Sequence, residues 1–199
     1  EFVMATFLRI EAPGLTILPT HRVAHHLEAF DWQRLLAGAA GFFECEEAAG
    51  VPLAALVAKL RESGANQPAL AAYAGRGRAA LLRLRREAPL SSELGDVAAG
   101  IRRLDVVLLH RLLLERALGI SRQAVRDEKH VRYAREAEDA AGQVDRGDAQ
   151  VAFLLNPTPI RGVWENALAG NVLPQKSTDF YPKLLSGLTA YWLDHPAGI

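Results

Sequence analysis

The sequence has little of several features that mark common protein classes. Its 199 residues include one cysteine, Cys45, so no disulfide can form within the chain and a reducing compartment is expected. Basic and acidic residues balance to a formal net charge of zero, which disfavours a dedicated nucleic-acid binder. No apolar run reaches the roughly 18 residues of a membrane-spanning helix, and no signal peptide is visible. We therefore expect a cytoplasmic protein without a membrane partner.

Half of the residues are hydrophobic, which is enough to build a core without metals or disulfides. Strand and helix patterns alternate, but at least two hairpins interrupt them, which predicts an α+β fold. We expect a mixed sheet with hairpins and helices packed on it, within a single domain over residues 1–199. The chain opens on Glu1 and enters a strand-like stretch at once, which indicates the C-terminal part of a longer protein.

Apolar periodicity and turn residues predict the individual elements. Strands are expected at residues 2–10, 15–18, 42–47, 69–74, 78–86, 131–133, 149–155 and 184–192. Helices are expected from the cap Asp31 to residue 40, from Pro52 through the stripe that ends at Leu60, and over 104–118 and 136–144. A last helix is expected to start at the cap Thr158 and stop at Gly170. Its predicted buried stripe comprises Ile160, Val163, Trp164, Ala167 and Leu168.

The first candidate site follows the buried strand that ends near Asn156. A helix start presents free N–H groups and a positive dipole end, which favour an anion. The nearby run Gln175-Lys176-Ser177-Thr178 supplies one amide, one cation and two hydroxyls, a set suited to phosphate or carboxylate. The alternative is a solvated loop in which a hydroxyl caps a helix that begins at Asp179.

The second candidate is Thr20-His21-Arg22 with His25 and His26. We interpret Thr20 to Arg22 as a strand exit, where functional residues are common. A helical conformation would place His21 and His25 on one face, yet no third metal ligand is evident, so no metal site is expected. A structural turn with surface histidines is the alternative.

Two further features favour structural interpretations. Gly75-Arg76-Gly77 has no strand-to-helix setting, so a hairpin turn is favoured over a phosphate loop. His110 falls on the apolar face of its predicted helix, which favours a buried histidine with one hydrogen-bond partner over a functional one.

Several stretches together resemble the family called domain of unknown function 1015. The main ones are AQVAFLLNPTP at residues 149–159 and LPQKSTDFYPKLLSGL at residues 173–188. Others are Ile17–Arg22, Leu104–Val106 with Leu109–His110, and Val144–Gly147. Two positions depart from the family pattern: Asp179 stands where an aromatic residue is usual, and His26 where a glycine is usual. An upstream Asp-Gly-His-His-Arg block, similar to the nucleotide-handling motif of the ParB/sulfiredoxin superfamily, is missing.

The resemblance implies part of a nucleotide- or phosphate-handling enzyme, by analogy with the small-molecule kinases of that superfamily. His21, Arg22 and Lys176 would then be catalytic, and a nucleotide is the candidate cofactor. The missing N-terminal half of the same protein would be a partner. A non-catalytic ligand-binding or regulatory domain is the alternative. The residues expected to bind the anionic small molecule are Asn156, Thr158, Gln175, Lys176, Ser177 and Thr178.

Overall fold

The structure, a computed structural model, describes residues 7–12, 14–75 and 77–183. Its centre is a six-stranded sheet in the order β3-β5-β4-β7-β2-β6, in which each neighbouring pair runs antiparallel. A separate ribbon pairs β1 with β8. The strands are β1 (Thr16–Leu18), β2 (His21–Ala24), β3 (Phe43–Glu47), β4 (Ala69–Tyr73), β5 (Ala79–Leu84), β6 (Val131–Ala134), β7 (Val151–Leu155) and β8 (Asp179–Tyr181).

Helices cover both faces of the six-stranded sheet, so the fold is α+β as predicted. The helices are α1 (Trp32–Ala39), α2 (Leu53–Gly64), α3 (Leu90–Glu93), α4 (Asp105–Leu108), a π-helix (Leu109–Ala117), α5 (Arg122–Arg126), α6 (Ala137–Asp145) and α7 (Ile160–Leu168). Among the described residues, no helix combines the length and apolar character needed to cross a bilayer.

The core has two layers because successive side chains of a strand point to opposite faces. Ala24 of β2 belongs to the cluster that includes α1 and the π-helix. Its neighbour Val23 belongs to the cluster beneath α2 and α6. All five residues of β7 are buried, since both faces of this central strand are covered. Burial of β7 explains its continuous apolar sequence.

Local signals correctly predicted several elements. Asp31 caps α1 by accepting a hydrogen bond from the Arg34 amide at 2.6 Å. Pro52 directly precedes α2, and β4 and β5 form the predicted hairpin. A helix is present over the predicted span 104–118. It begins as α4 and continues as the π-helix, a rare form that occurs frequently at functional sites. The predicted final strand at 184–192 lies outside the described residues.

Three predictions about element boundaries and burial were wrong. Residues 7–10 of the first predicted strand do not form a strand, and its residues 2–6 lie outside the described part. Thr158 does not cap α7: the cap position is Pro159, and the Thr158 hydroxyl donates instead to the Ser177 carbonyl at 2.8 Å. The predicted stripe of α7 is not buried. Four of its five residues, all but Leu168, line an open groove with residues 8–11, Leu15, Phe180, Pro182 and Lys183. Trp164 is 50% exposed.

Candidate functional site

Arg22 ties the segment of residues 174–178 to the central sheet. Its side chain lies under this segment and is only 1% exposed. One terminal guanidinium nitrogen donates to the carbonyls of Lys176 at 2.9 Å and Gln175 at 3.3 Å, and the other donates to the Thr20 carbonyl. Arg22 therefore connects two stretches that are far apart in sequence and that both carry predicted site residues.

The Arg22 guanidinium has no carboxylate partner among the described residues. Its Cζ lies 5.2 Å from the centre of the Tyr133 ring, within cation–π range. Burial lowers the pKa of Arg22 to about 10, although that value still leaves it charged at neutral pH. The guanidinium atom Nε is buried without a hydrogen-bond partner within the described chain, and so are two atoms of neighbouring side chains, Tyr133 Oη and His110 Nε2. Such orphaned atoms call for a structural or functional explanation.

A cleft of about 510 Å³ lies beside the segment, and we call it the basic cleft. Its wall includes Thr20 from one predicted motif and Lys176 and Thr178 from the other, with Tyr133 between other lining residues. Lys176 has a positive φ of 57°, an uncommon conformation for a non-glycine residue and one that clusters at ligand sites. The remaining lining residues are Glu128, Arg132, Ala134, Arg135, Asp179 and Lys183.

The charges of the basic cleft do not cancel. Asp179 is held by Arg135 at 2.7 Å and by Lys183 at 2.5 Å. The hydrogen bond from Lys183 is the main reason that the pKa of Asp179 is lowered. Among the described residues, Arg132 and Lys176 form no ion pair, and both side chains reach solvent. Four cations and two carboxylates, those of Glu128 and Asp179, line the cleft, which leaves a positive excess that an anion could neutralise.

Two of the predicted hydroxyls stabilise the segment itself. Thr158 donates to the Ser177 carbonyl at 2.8 Å, and the Ser177 hydroxyl donates to the Pro174 carbonyl. The Ser177 amide also donates to the Pro174 carbonyl at 3.2 Å, which closes a turn. The alternative in which a hydroxyl caps a helix at Asp179 is wrong, because Asp179 begins the strand β8.

His21 and Asn156 lie away from the basic cleft. They share a smaller cavity of about 220 Å³ with Arg61 and Glu138. His21 is within β2 rather than at a strand exit, so its side chain points to the face opposite Arg22. His21 Nδ1 accepts the Leu155 amide at 3.2 Å, and burial lowers the pKa of His21 to about 4. The structure therefore does not bring the three predicted catalytic residues into one site.

Asn156 and Asp105 form a half-buried polar pair that sequence reasoning missed. Asn156 donates to the Leu60 carbonyl at 3.2 Å and fills the space beside Gly64. Burial raises the pKa of Asp105 to about 7, although hydrogen bonds with the Ala69 backbone and the Asn156 side chain oppose the rise. Asp105 falls within the Leu104–Val106 stretch of the family resemblance, but nothing in the sequence indicated that its side chain is shielded from solvent.

The neighbouring histidines His25 and His26 also lie outside the basic cleft. Their Nδ1 atoms are 3.0 Å apart, and His26 lines a different cavity together with His130. Within the described part of the chain, no group of three or more histidine, cysteine, aspartate or glutamate side chains is arranged to hold a metal. Cys45 is a half-buried thiol whose pKa is raised by burial, which disfavours the reactive thiolate.

Comparison with known proteins identifies the family. The model of a family described as a protein of unknown function, DUF1015, matches residues 1–107. The chain belongs to the DUF1015 family. The matched part includes Thr20, His21, Arg22 and Asp105, whereas the stretches 149–159 and 173–188, which carried most of the resemblance, lie beyond it.

Two other comparisons add little about the DUF1015 chain. No curated protein matches it. A solved structure of a conserved hypothetical protein from Pyrococcus furiosus is similar with a TM-score of 0.49 at 12% sequence identity. The similarity covers 87% of this chain, which spans 59% of that protein's length.

Proposed function

We propose that this chain binds an anionic small molecule of the phosphate class in the basic cleft, as part of a nucleotide- or phosphate-handling protein. The observation that carries the proposal is the positive excess of the basic cleft, in which Arg132 and Lys176 form no ion pair with a described residue, beside a wall that also offers the Thr178 hydroxyl. Cations and hydroxyl donors are the groups that recognise phosphate oxygens. The buried cation Arg22 adds to the positive potential from below the segment.

Arg22 supports this site as a positioning residue. It donates to the carbonyl of Lys176 and not to any described side chain, so its hydrogen bonds fix the backbone that carries the lysine. A preorganised backbone lowers the conformational cost of binding. Lys176, Thr178 and Arg132 are then the groups that contact the anion.

Binding without catalysis is the second candidate function. It is favoured by the position of His21, which was expected to be catalytic but faces the opposite side of the sheet and donates no group to the basic cleft. A phosphoryl-transfer enzyme needs charged and hydrogen-bonding groups that converge on one transferring group. Release of ADP or phosphate from ATP would support the enzyme, whereas saturable binding without turnover would support the binding domain.

Titration calorimetry with inorganic phosphate, ADP and ATP tests the anion site. We expect saturable binding of at least one of them, with affinity that falls as salt rises because the contacts are charged. Lys176→Ala should weaken binding about tenfold, the loss expected for one charge-assisted hydrogen bond. Lys129→Ala is the matched control, since Lys129 is an exposed lysine that pairs with Asp127 outside the cleft. Absence of saturable heat with all three ligands would refute the proposal.

A further inference from the structure

A second cavity, of about 280 Å³, lies on the other side of the segment of residues 174–178, and we call it the His110 cavity. Pro174 and Gln175 line it, whereas Lys176 and Thr178 line the basic cleft. The two cavities share no lining residue. A ligand of the His110 cavity would therefore be independent of the anion proposed for the basic cleft.

The interior of the His110 cavity is mostly apolar. Its described wall includes Ile101, Val107 and Val125, each of which is at most 7% exposed in the structure. Val172 stands at the same cavity and is 85% exposed, so it lies at the opening. At about 30 Å³ for each water in the liquid, the volume corresponds to roughly nine water molecules, enough for a small ring or a short acyl chain.

The one ionisable ring in this wall is neutral at physiological pH. His110 follows the first residue of the π-helix, and burial together with the charge of Arg22 lowers its pKa to about 3. A neutral imidazole provides one hydrogen-bond donor and one acceptor. Its Nε2 is closed off from solvent without a partner among the described residues. His110 therefore adds polarity but no charge to the lining of the cavity.

Charge is concentrated at the rim instead. Arg111 and Arg122 are both held by the carboxylates of Asp96 and Glu115 at distances of 2.9 to 3.1 Å. Arg126 differs, because it donates to the neutral Gln123 at 2.7 Å and contacts no carboxylate in the described chain. Arg126 is thus the rim cation that remains available to an acid.

We propose that the His110 cavity binds a small monocarboxylic acid, with its apolar body against Ile101, Val107 and Val125 and its carboxylate at Arg126. The apolar wall favours a hydrocarbon body over a polyanion, and a guanidinium recognises a carboxylate through two parallel hydrogen bonds. Inorganic phosphate lacks the apolar body and binds elsewhere.

Binding of benzoate and its uncharged counterpart benzamide to the full chain, followed by ligand-observed NMR and calorimetry, tests the site. Benzoate should bind saturably with a Kd of about 1 mM or tighter, and benzamide several-fold more weakly. Arg126→Gln should weaken benzoate about fivefold without affecting benzamide. Arg103→Gln, at an exposed arginine outside the cavity, should leave both unchanged.

A second variant separates occupancy of the cavity from attraction to the rim. Val172→Trp places a bulky ring at the opening of an already exposed position, so the fold should persist while benzoate binding is lost. Leu168→Trp, at a 70% exposed position outside this cavity, is the matched control. Lys176→Ala should not change benzoate affinity. The proposal is overturned if benzoate shows no saturation, if benzamide binds equally well, or if neither Arg126→Gln nor Val172→Trp weakens benzoate.

Discussion

Replacing Arg22 with methionine tests whether a buried cation holds the segment of residues 174–178 on the sheet. Arg22→Met keeps a long apolar stem in place but removes the guanidinium. The variant loses the hydrogen bonds to the carbonyls of Thr20 and Lys176 and a longer one of 3.3 Å to Gln175. It also loses the cation–π contact with Tyr133.

The expected magnitude follows from two opposing terms. Hydrogen bonds that involve a charged group contribute about 1.5–3 kcal/mol each, so those to the Thr20 and Lys176 carbonyls contribute about 3–6 kcal/mol together. Against them stands desolvation: burial lowers the pKa of Arg22 from 12.5 to about 10, which at about 1.4 kcal/mol per pKa unit disfavours the charged form by about 3 kcal/mol. The cation–π contact adds about 1–2 kcal/mol to the favourable side. We therefore expect Arg22→Met to lower the free energy of unfolding by about 1–5 kcal/mol.

Urea unfolding followed by circular dichroism measures this change, with Arg22→Lys as the comparison that keeps the charge but not the fork of donors. Hydrogen exchange at the Ser177 amide, which donates within the segment, reports the local effect. Faster exchange there, together with the loss of stability, would support an anchoring role. If Arg22→Met were as stable as the wild type or more stable, desolvation would outweigh the hydrogen bonds and the reasoning would be wrong.

Three further predictions concern the core and its buried titratable groups. Leu154→Ala should lower the free energy of unfolding by about 3 kcal/mol, because Leu154 is fully buried, while Leu168→Ala at a 70% exposed position should change urea stability by less than about 0.5 kcal/mol. Burial raises the pKa of Asp105 from 3.8 to about 7, so the folded state retains a proton that the unfolded chain releases and stability is lost as pH rises through this range. Asp105→Asn should therefore gain stability relative to the wild type between pH 4 and 7, by about 1.4 kcal/mol per pH unit, and a constant difference would contradict it. Burial lowers the pKa values of His21 and His110 to about 4 and 3, so their contribution to stability is present above pH 6.5 and is lost as pH falls. The NMR chemical shifts of both rings should stay constant down to about pH 5. A titration of either ring near pH 6.5 would contradict its burial.

The sequence predicts the elements whose signals are local. The strand β7 is a short apolar run, α1 has its aspartate cap, and the hairpin of β4 and β5 has glycines with positive φ at its turn. In each case the residues that decide the structure are neighbours in the chain, so periodicity and turn chemistry are sufficient.

Burial of an apolar stripe is a different kind of prediction. The periodicity of α7 correctly indicated which side chains share a face, but it contained no information about what covers that face. In the structure Trp164 and Leu168 remain exposed, and Asn166 is the residue of α7 that is buried. Asn166 donates to the Gly162 carbonyl at 2.8 Å and to the Gly100 carbonyl at 3.4 Å, so polar contacts hold this helix. Which element packs against a helix depends on the tertiary structure, and the sequence of one helix does not specify it.

The candidate site shows the same limit at the level of single residues. Sequence motifs grouped His21 with Arg22 because they are adjacent, yet adjacency within a strand sends two side chains to opposite faces. Once β2 is known to be a strand, Arg22 and not His21 must face the π-helix and the segment of residues 174–178. The partners of Arg22 in that segment are the carbonyls of Gln175 and Lys176, which no side-chain motif could reveal because the acceptors are backbone atoms. If the proposed anion site is correct, the Thr20-His21-Arg22 stretch therefore acts through Arg22 as a positioning residue, while His21 serves the opposite layer by accepting the Leu155 amide.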